Sequence, residues 1–366
     1  MESTDEDLEY VCLMKIPPDL ISVNAMIRDA GVCQAGYTLT TGDIYAPEEF
    51  LDEREIYGTR TVLLPDRNVV SRFAQLARGK TVSTDHQLRI AAALIAFAQF
   101  NEIVIDPAIS FHELAYKQGK EAALEELGWF RAADNGDGYE FIAVALGRRD
   151  TLASQYQRHE VPDHDLTKSV IAWKRNYVCM LKMAEIERSL SKPIERITTF
   201  LNWMRDDFRY GGSAAIFAAI YWGPNSSPKK SMFKDKNSSD RERAIEGVKN
   251  TAWDLTHLSE FVRKVDAESN DPPSRYLFAT FDQYLLFLAK TILAHSQHGS
   301  SKEWLAKTFA QWWEQLDVEI IVTAMQEHAA RIEATANQPK ERRATPQRLD
   351  ALIASGESLV RAYQPQ

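Results

Sequence analysis

Residues 59–70 read TRTVLLPDRNVV. Apart from Arg60, β-branched and apolar side chains fill positions 59–64, Pro65 stops the run, and helical spacing follows over 68–77. An apolar run that does not alternate with polar residues predicts a strand covered on both faces, as in a parallel sheet. Two other segments have this character: 103–105 (IVI), ended by Asp106-Pro107, and 276–279 (YLFA), followed by Thr280. The three are predicted to be parallel neighbours. Strands that alternate with helices imply an α/β fold, a parallel sheet flanked by helices.

The remainder of the chain reads as mostly helical. Residues 1–58 form an N-terminal extension with one helix near 19–29. Thr84 or Asp85 caps a helix that runs to Phe100, and 111–130 has helical spacing. Residues 139–240 are predicted to be a large helical insertion, with helices at 165–188 (capped by Asp165), 192–206 and 212–222. Within it, 224–240 (PNSSPKKSMFKDKNSSD) is a polar, basic loop and the best candidate for a mobile segment. Helices follow at 241–265, 283–294 and most of 303–334, and a short amphipathic helix at 347–363. The predicted organisation is therefore 1–58, a central domain over 59–296, and a helical C-terminal extension over 297–366.

Composition excludes several classes. The 366 residues carry a net charge of -9, so phosphate binding would need a local basic patch or metal ions in an acidic pocket. The three cysteines (Cys12, Cys33 and Cys179) are widely spaced and read as buried thiols, not a disulfide framework or zinc knuckle. The acidic start, MESTDED, has no signal-peptide character. The most apolar runs, 90–97 and 214–222, fall far short of the roughly 18 residues of a spanning helix. A cytoplasmic protein with no membrane partner is expected. Glycine-loop, GxSxG and HExxH motifs are absent. The ligand-rich string 159–165 (HEVPDHD) contains Pro162 and reads as a helix approach more readily than a zinc site.

In open α/β sheets, functional groups collect beyond the carboxyl ends of strands. Asp66 follows the 59–64 strand, Glu113 lies on the helix after 103–105, and Asp282 follows 276–279. Asp254 sits on a helix with an apolar face. Four converging carboxylates suit Mg²⁺ or Mn²⁺, and two such ions about 3.5–4 Å apart activate water against a phosphodiester. Each acid alone reads more readily as a helix cap or a solvated charge than as a ligand. His257, three residues after Asp254, faces the same site or is a surface or half-buried histidine.

The strings around these acids resemble the motifs of PIN-domain nucleases. Residues 63–70 (LLPDRNVV) resemble the opening strand with its Asp-x-Asn step, and 105–115 (IDPAISFHELA) the second strand and helical Glu. Residues 252–255 (AWDL) resemble the third acidic motif, and 277–285 (LFATFDQYL) the last strand with its Thr-x-Asp step. The resemblance implies a PIN-like fold with a long helical insertion and a divalent-metal site formed by Asp66, Glu113, Asp254 and Asp282. It also implies nucleic-acid cleavage, with RNA favoured and DNA the alternative, and a role as a toxin or antiviral defence effector. Asn68 and Thr280 hold a metal-bound water, orient an Asp, or cap the next helix. Arg67, Lys229, Lys230, Lys234 and Lys236 are the candidate substrate contacts. The rival reading is a catalytically inactive scaffold that binds a protein regulator or a second copy of itself. Trp304, Trp312 and Trp313 read as core residues, with a protein interface as the minority alternative.

Overall fold

Residues 60–65 form the central strand of a four-stranded sheet, and the reason is visible in its neighbours. The structure, a computed structural model, describes residues 16–39, 41–168, 170–209, 211–227, 229–267, 273–298, 301–335 and 345–363. Its strands are β1 (Cys33–Ala35), β2 (Arg60–Pro65), β3 (Val104–Ile105) and β4 (Ser274–Ala279), in the order β1-β4-β2-β3. β2 pairs in parallel with β3, Leu63 opposite Ile105, and with β4, Val62 opposite Tyr276 and Leu64 opposite Phe278.

The three expected strands are thus parallel neighbours. The sheet as a whole is mixed, however, because β1 adds an antiparallel edge on β4, Cys33 opposite Ala279. That strand arises within the segment read as an N-terminal extension. It is three residues long and has no apolar run of its own, so β4 supplies its pairing.

Side chains of a strand alternate between faces, and the sheet accordingly divides two cores. Val62, Leu64, Tyr276 and Phe278 pack into one; Leu63, Leu277 and Ala279 pack into the other. The second core is covered by α1 (Leu20–Ala30), α2 (Glu48–Glu55), α3 (Arg67–Ala77), α4 (His86–Phe100), α5 (Ala108–Gln118), α6 (Lys120–Asp134) and α7 (Gly138–Ala145). α4 is apolar almost all round, as its run of nine consecutive buried residues, 90–98, requires. Asp85 caps it, accepting from the backbone N–H groups of Gln87 and Leu88. α7, inside the expected insertion, belongs to this same core through Phe141, Ile142 and Val144.

The first core is built from α8 (Ile171–Ser189), α9 (Pro193–Asp206), α10 (Gly212–Trp222), α11 (Lys229–Met232) and α12 (Arg241–Val265). It continues with α13 (Gln283–His298), α14 (Lys302–Phe309), α15 (Gln315–Thr335) and α16 (Pro346–Ala362). α8 begins at Ile171, six residues later than expected, because Asp165 is used in a local turn, accepting from the Thr167 hydroxyl at 3.0 Å. The 303–334 helix is two helices, α14 and α15. Trp312 and Trp313 turn into the core at the break, where the Trp313 indole N–H donates to the Ala219 carbonyl at 2.7 Å. α16 lies against α8 at Gly356, where any Cβ would meet Leu181 at 2.9 Å. Cys33 and Cys179 are free thiols that burial pushes up to about 12; Cys12 lies outside the described residues. Among the described residues, no helix is long and apolar enough to cross a membrane.

Candidate metal centre

The carboxyl ends of β2 and β4 lie side by side, and the chain leaves each of them through a polar step. The Asp66 N–H continues the ladder, donating to the Ala279 carbonyl at 2.8 Å. Asp66 then caps α3: its Oδ1 accepts from the Arg67 N–H at 2.6 Å. Its Oδ2 accepts from Asn68 Nδ2 at 2.6 Å and from the Thr280 hydroxyl at 2.9 Å. Asn68 Oδ1 in turn accepts from the Phe281 N–H at 3.1 Å, and Thr280 Oγ1 accepts from the Asp282 N–H at 3.0 Å. Asn68 and Thr280 therefore tie the two strand ends together and fix the Asp66 carboxylate.

Glu113 arrives from the other core on α5, which is anchored to β2 by the Ser110 hydroxyl donating to the Pro65 carbonyl at 2.8 Å. Glu113 is buried, with Lys117 Nζ on Oε1 at 2.5 Å and the His257 imidazole on Oε2 at 3.1 Å. A carboxylate only accepts, so His257 carries its proton on Nε2 and donates. The same nitrogen is 3.7 Å from Asp66 Oδ1. One ligand atom from each of Asp66, Glu113 and His257 lies within 4.8 Å of the other two. His257 is 5% exposed, so it is a buried member of the site and not a surface histidine.

Asp254 sits one helical turn before His257 on α12 and is half-buried. Among the described residues it has no hydrogen bond or ion pair. Burial, then the charges of Asp66 and Glu113 and, more weakly, Asp282, push its carboxyl up to about 8 against the pull of His257. Asp66 is raised by the same burial and by Glu113. Glu113 is lowered: burial opposes this, but the hydrogen bond from His257 and the Lys117 charge outweigh it. Burial pulls His257 down, yet the Glu113 hydrogen bond and the Asp66, Glu113 and Asp254 charges leave it above its ordinary value. The four acids thus share one electrostatic field.

Asp282 has two roles. Oδ1 caps α13, accepting from the N–H groups of Tyr284 and Leu285 at 2.9 and 3.2 Å, and Oδ2 lies 3.5 Å from Lys234 Nζ. The Tyr284 hydroxyl is buried with no partner among the described residues, and its titration is raised by burial, then by Asp254 and Asp282. Two residues were thus missed or undervalued in the sequence. The signal for His257 was its i+3 spacing from Asp254 on one helix face; Tyr284 had no signal beyond its nearness to Asp282.

The candidate substrate contacts scatter. Among the described residues, only Lys234 of these reaches the cluster, 3.5 Å from Asp282. Arg67 is engaged by Glu126 through two bonds, at 2.7 and 3.0 Å. Lys236 pairs with Glu187 at 2.7 Å, and Lys229 lies over the Tyr221 ring at 5.4 Å. The Lys230 side chain is outside the described residues. Nor is 224–240 a polar loop throughout: Met232 and Phe233 are buried and anchor it on the first core.

Chemically, this arrangement holds acceptor oxygens and one imidazole nitrogen at a sheet edge where negative charge is in excess. Such a donor set can hold a divalent cation, which would replace the proton that the Asp254 carboxyl otherwise retains near neutrality. No protein-family model matches the chain, and no curated protein or solved structure matches it.

Proposed function

We propose that the chain is a divalent-metal-dependent nuclease of PIN-like type, cleaving RNA in preference to DNA. The observation that carries the reading is the buried group of Asp66, Glu113 and His257, whose ligand atoms lie within 4.8 Å of one another, with the partnerless Asp254 one helical turn from His257 and raised by the charges of the two acids. A half-buried carboxylate crowded by other acids and without a partner is costly, and a cation is the ligand that removes the cost. Asp66 and Glu113 would hold the ion, joined by His257 once its Nε2 gives up the proton it donates to Glu113, with Asp254 one helical turn away and Asp282 toward the Lys234 side. The ion would supply an activated water and charge stabilisation at phosphorus. An imidazole among carboxylates favours Mn²⁺ over Mg²⁺. Asn68 and Thr280 act by positioning Asp66. The choice of RNA, and a toxin or defence role in the cytoplasm, rest on the motif resemblance alone.

A second reading has its own support. Lys117, His257 and Lys234 already contact three of the acids, which is how a scaffold without metal would neutralise them. Such a scaffold would serve by binding a protein partner or a second copy. Cleavage of RNA, single-stranded DNA and duplex DNA in Mg²⁺ or Mn²⁺ separates the two. The nuclease reading expects metal-dependent cleavage, reduced by orders of magnitude in Asp66→Asn and Asp254→Asn. Full cleavage by both variants would remove the site assignment; no cleavage by the parent protein in any divalent metal would favour the scaffold.

A further inference from the structure

A second concentration of like charge lies at the far end of α8, where it meets the loop before α12 and the end of α16. A pocket of about 230 Å³ is lined there by Glu187, Arg188, Arg196, Lys236, Asn237 and Tyr363. Arg241, the first residue of α12, joins it from behind: Arg188 and Arg241 both lie over the Tyr363 ring, at 4.3 and 5.4 Å.

The charges do not balance. Glu187 is the one carboxylate of the lining. It is already shared among Lys236 at 2.7 Å, Arg196 at 3.9 Å and the Tyr221 hydroxyl at 2.9 Å. Among the described residues, neither Arg188 nor Arg241 has an ion pair. Arg188 donates only to the Leu359 carbonyl at 3.4 Å, and Arg241 to the carbonyls of Val360 and Ser238. Arg241 Nη2 is buried and has no acceptor among the described residues. Arg188 titrates below its ordinary value, through burial and then through the charge of Arg241. Two guanidinium groups around one tyrosine ring repel each other, and the pocket itself is lined by three cations against one carboxylate. An anion in the pocket beside Arg188 would offset that excess.

We infer that this pocket binds a phosphate group, either free or carried by a small phosphomonoester. The planar fork of arginine matches the oxygens of phosphate. Asn237 adds a neutral donor, and the volume exceeds the roughly 30 Å³ share of a single water several times over. The inference does not depend on the metal reading, because it uses none of the acidic residues of that site.

Calorimetry of the full chain tests it, with inorganic phosphate in one arm and a nucleoside 5′-monophosphate in the other. Binding of phosphate to the parent protein is expected, with about tenfold or greater weakening in Arg188→Met, which loses charge-assisted hydrogen bonds, and a smaller weakening in Arg241→Met, which loses only a neighbouring charge. Tighter binding of the monophosphate assigns the group to a phosphorylated small molecule; equal binding assigns it to free phosphate. Arg188→Met relieves the repulsion, so its melting temperature without phosphate should not fall. Arg188→Lys, which keeps the charge and loses the fork, should still bind more weakly. No binding by the parent protein up to about 10 mM, above the ~1 mM dissociation constant that -4 kcal/mol represents, overturns the inference. So does unchanged binding in both methionine variants.

Discussion

At the start of β4, Arg275 is buried among partners that match it. It donates to Thr61 Oγ1 at 3.0 Å, to Glu49 Oε1 at 3.2 Å and to the Glu49 carbonyl, and it lies over the Tyr37 ring at 4.2 Å. Glu49, fully buried, takes two further bonds from the Thr41 N–H and hydroxyl, at 2.9 and 3.0 Å. At the other end of the same strand, Thr280 leads into four carboxylates, one of which, Asp254, is raised to about 8 and has no partner among the described residues. Both ends bury charge, but only the first closes on itself. A buried ion pair with every group satisfied fixes local geometry, whereas buried charge left open marks a place for something the chain does not supply.

The closed end should be the more sensitive to mutation. Arg275→Met leaves Glu49 buried without its cation, and the expected loss is about 3–5 kcal/mol of folding stability. Urea denaturation reads this directly, and a loss no larger than that of an ordinary surface substitution would erase the distinction between the two ends.

The open end should respond in the opposite sense. In metal-free protein the Asp254 carboxyl titrates near 8 when folded, against an ordinary value of 3.8. The folded state then binds the extra proton between those two values. Its stability is greatest below the lower one and falls as pH rises toward the upper one. Asp254→Asn removes that titration. At pH 8 without metal the variant should be more stable than the parent by about 1–2 kcal/mol, and the gain should vanish toward pH 4. Thermal melts across this range in chelator check the sign. A variant less stable than its parent at pH 8 would mean that Asp254 is held by contacts instead of being crowded by charge.

The contrast also explains what could be read in the sequence. Residues 61–64 announce a strand because Thr, Val, Leu and Leu are stiff or apolar with no polar interruption, and Pro65 marks its end. Asp66 and Asp282 were legible because they follow strands directly, where local capping and the sheet edge coincide. β1 was not, because Cys33–Ala35 becomes a strand only by pairing with a segment some 240 residues later. His257 was undervalued for the same reason. Its burial depends on Glu113, 144 residues away on a helix from the opposite core. Arg67 and Lys236 looked like free cations until the fold supplied Glu126 and Glu187. Local chemistry writes strands and caps into a sequence; counter-charges are assigned by topology.

The claim on which the rest depends is that the open end of β4 is a cation site. Titration calorimetry of Mn²⁺ into the metal-free chain at pH 7.5, with Asp254→Asn and Arg275→Lys alongside, tests it most directly. The account predicts binding by the parent protein, about tenfold or greater weakening in Asp254→Asn, and parent-like affinity in a folded Arg275→Lys, whose residue lies at the closed end. Equal Mn²⁺ affinity in the parent and Asp254→Asn, or no binding by the parent protein at millimolar metal, would contradict it.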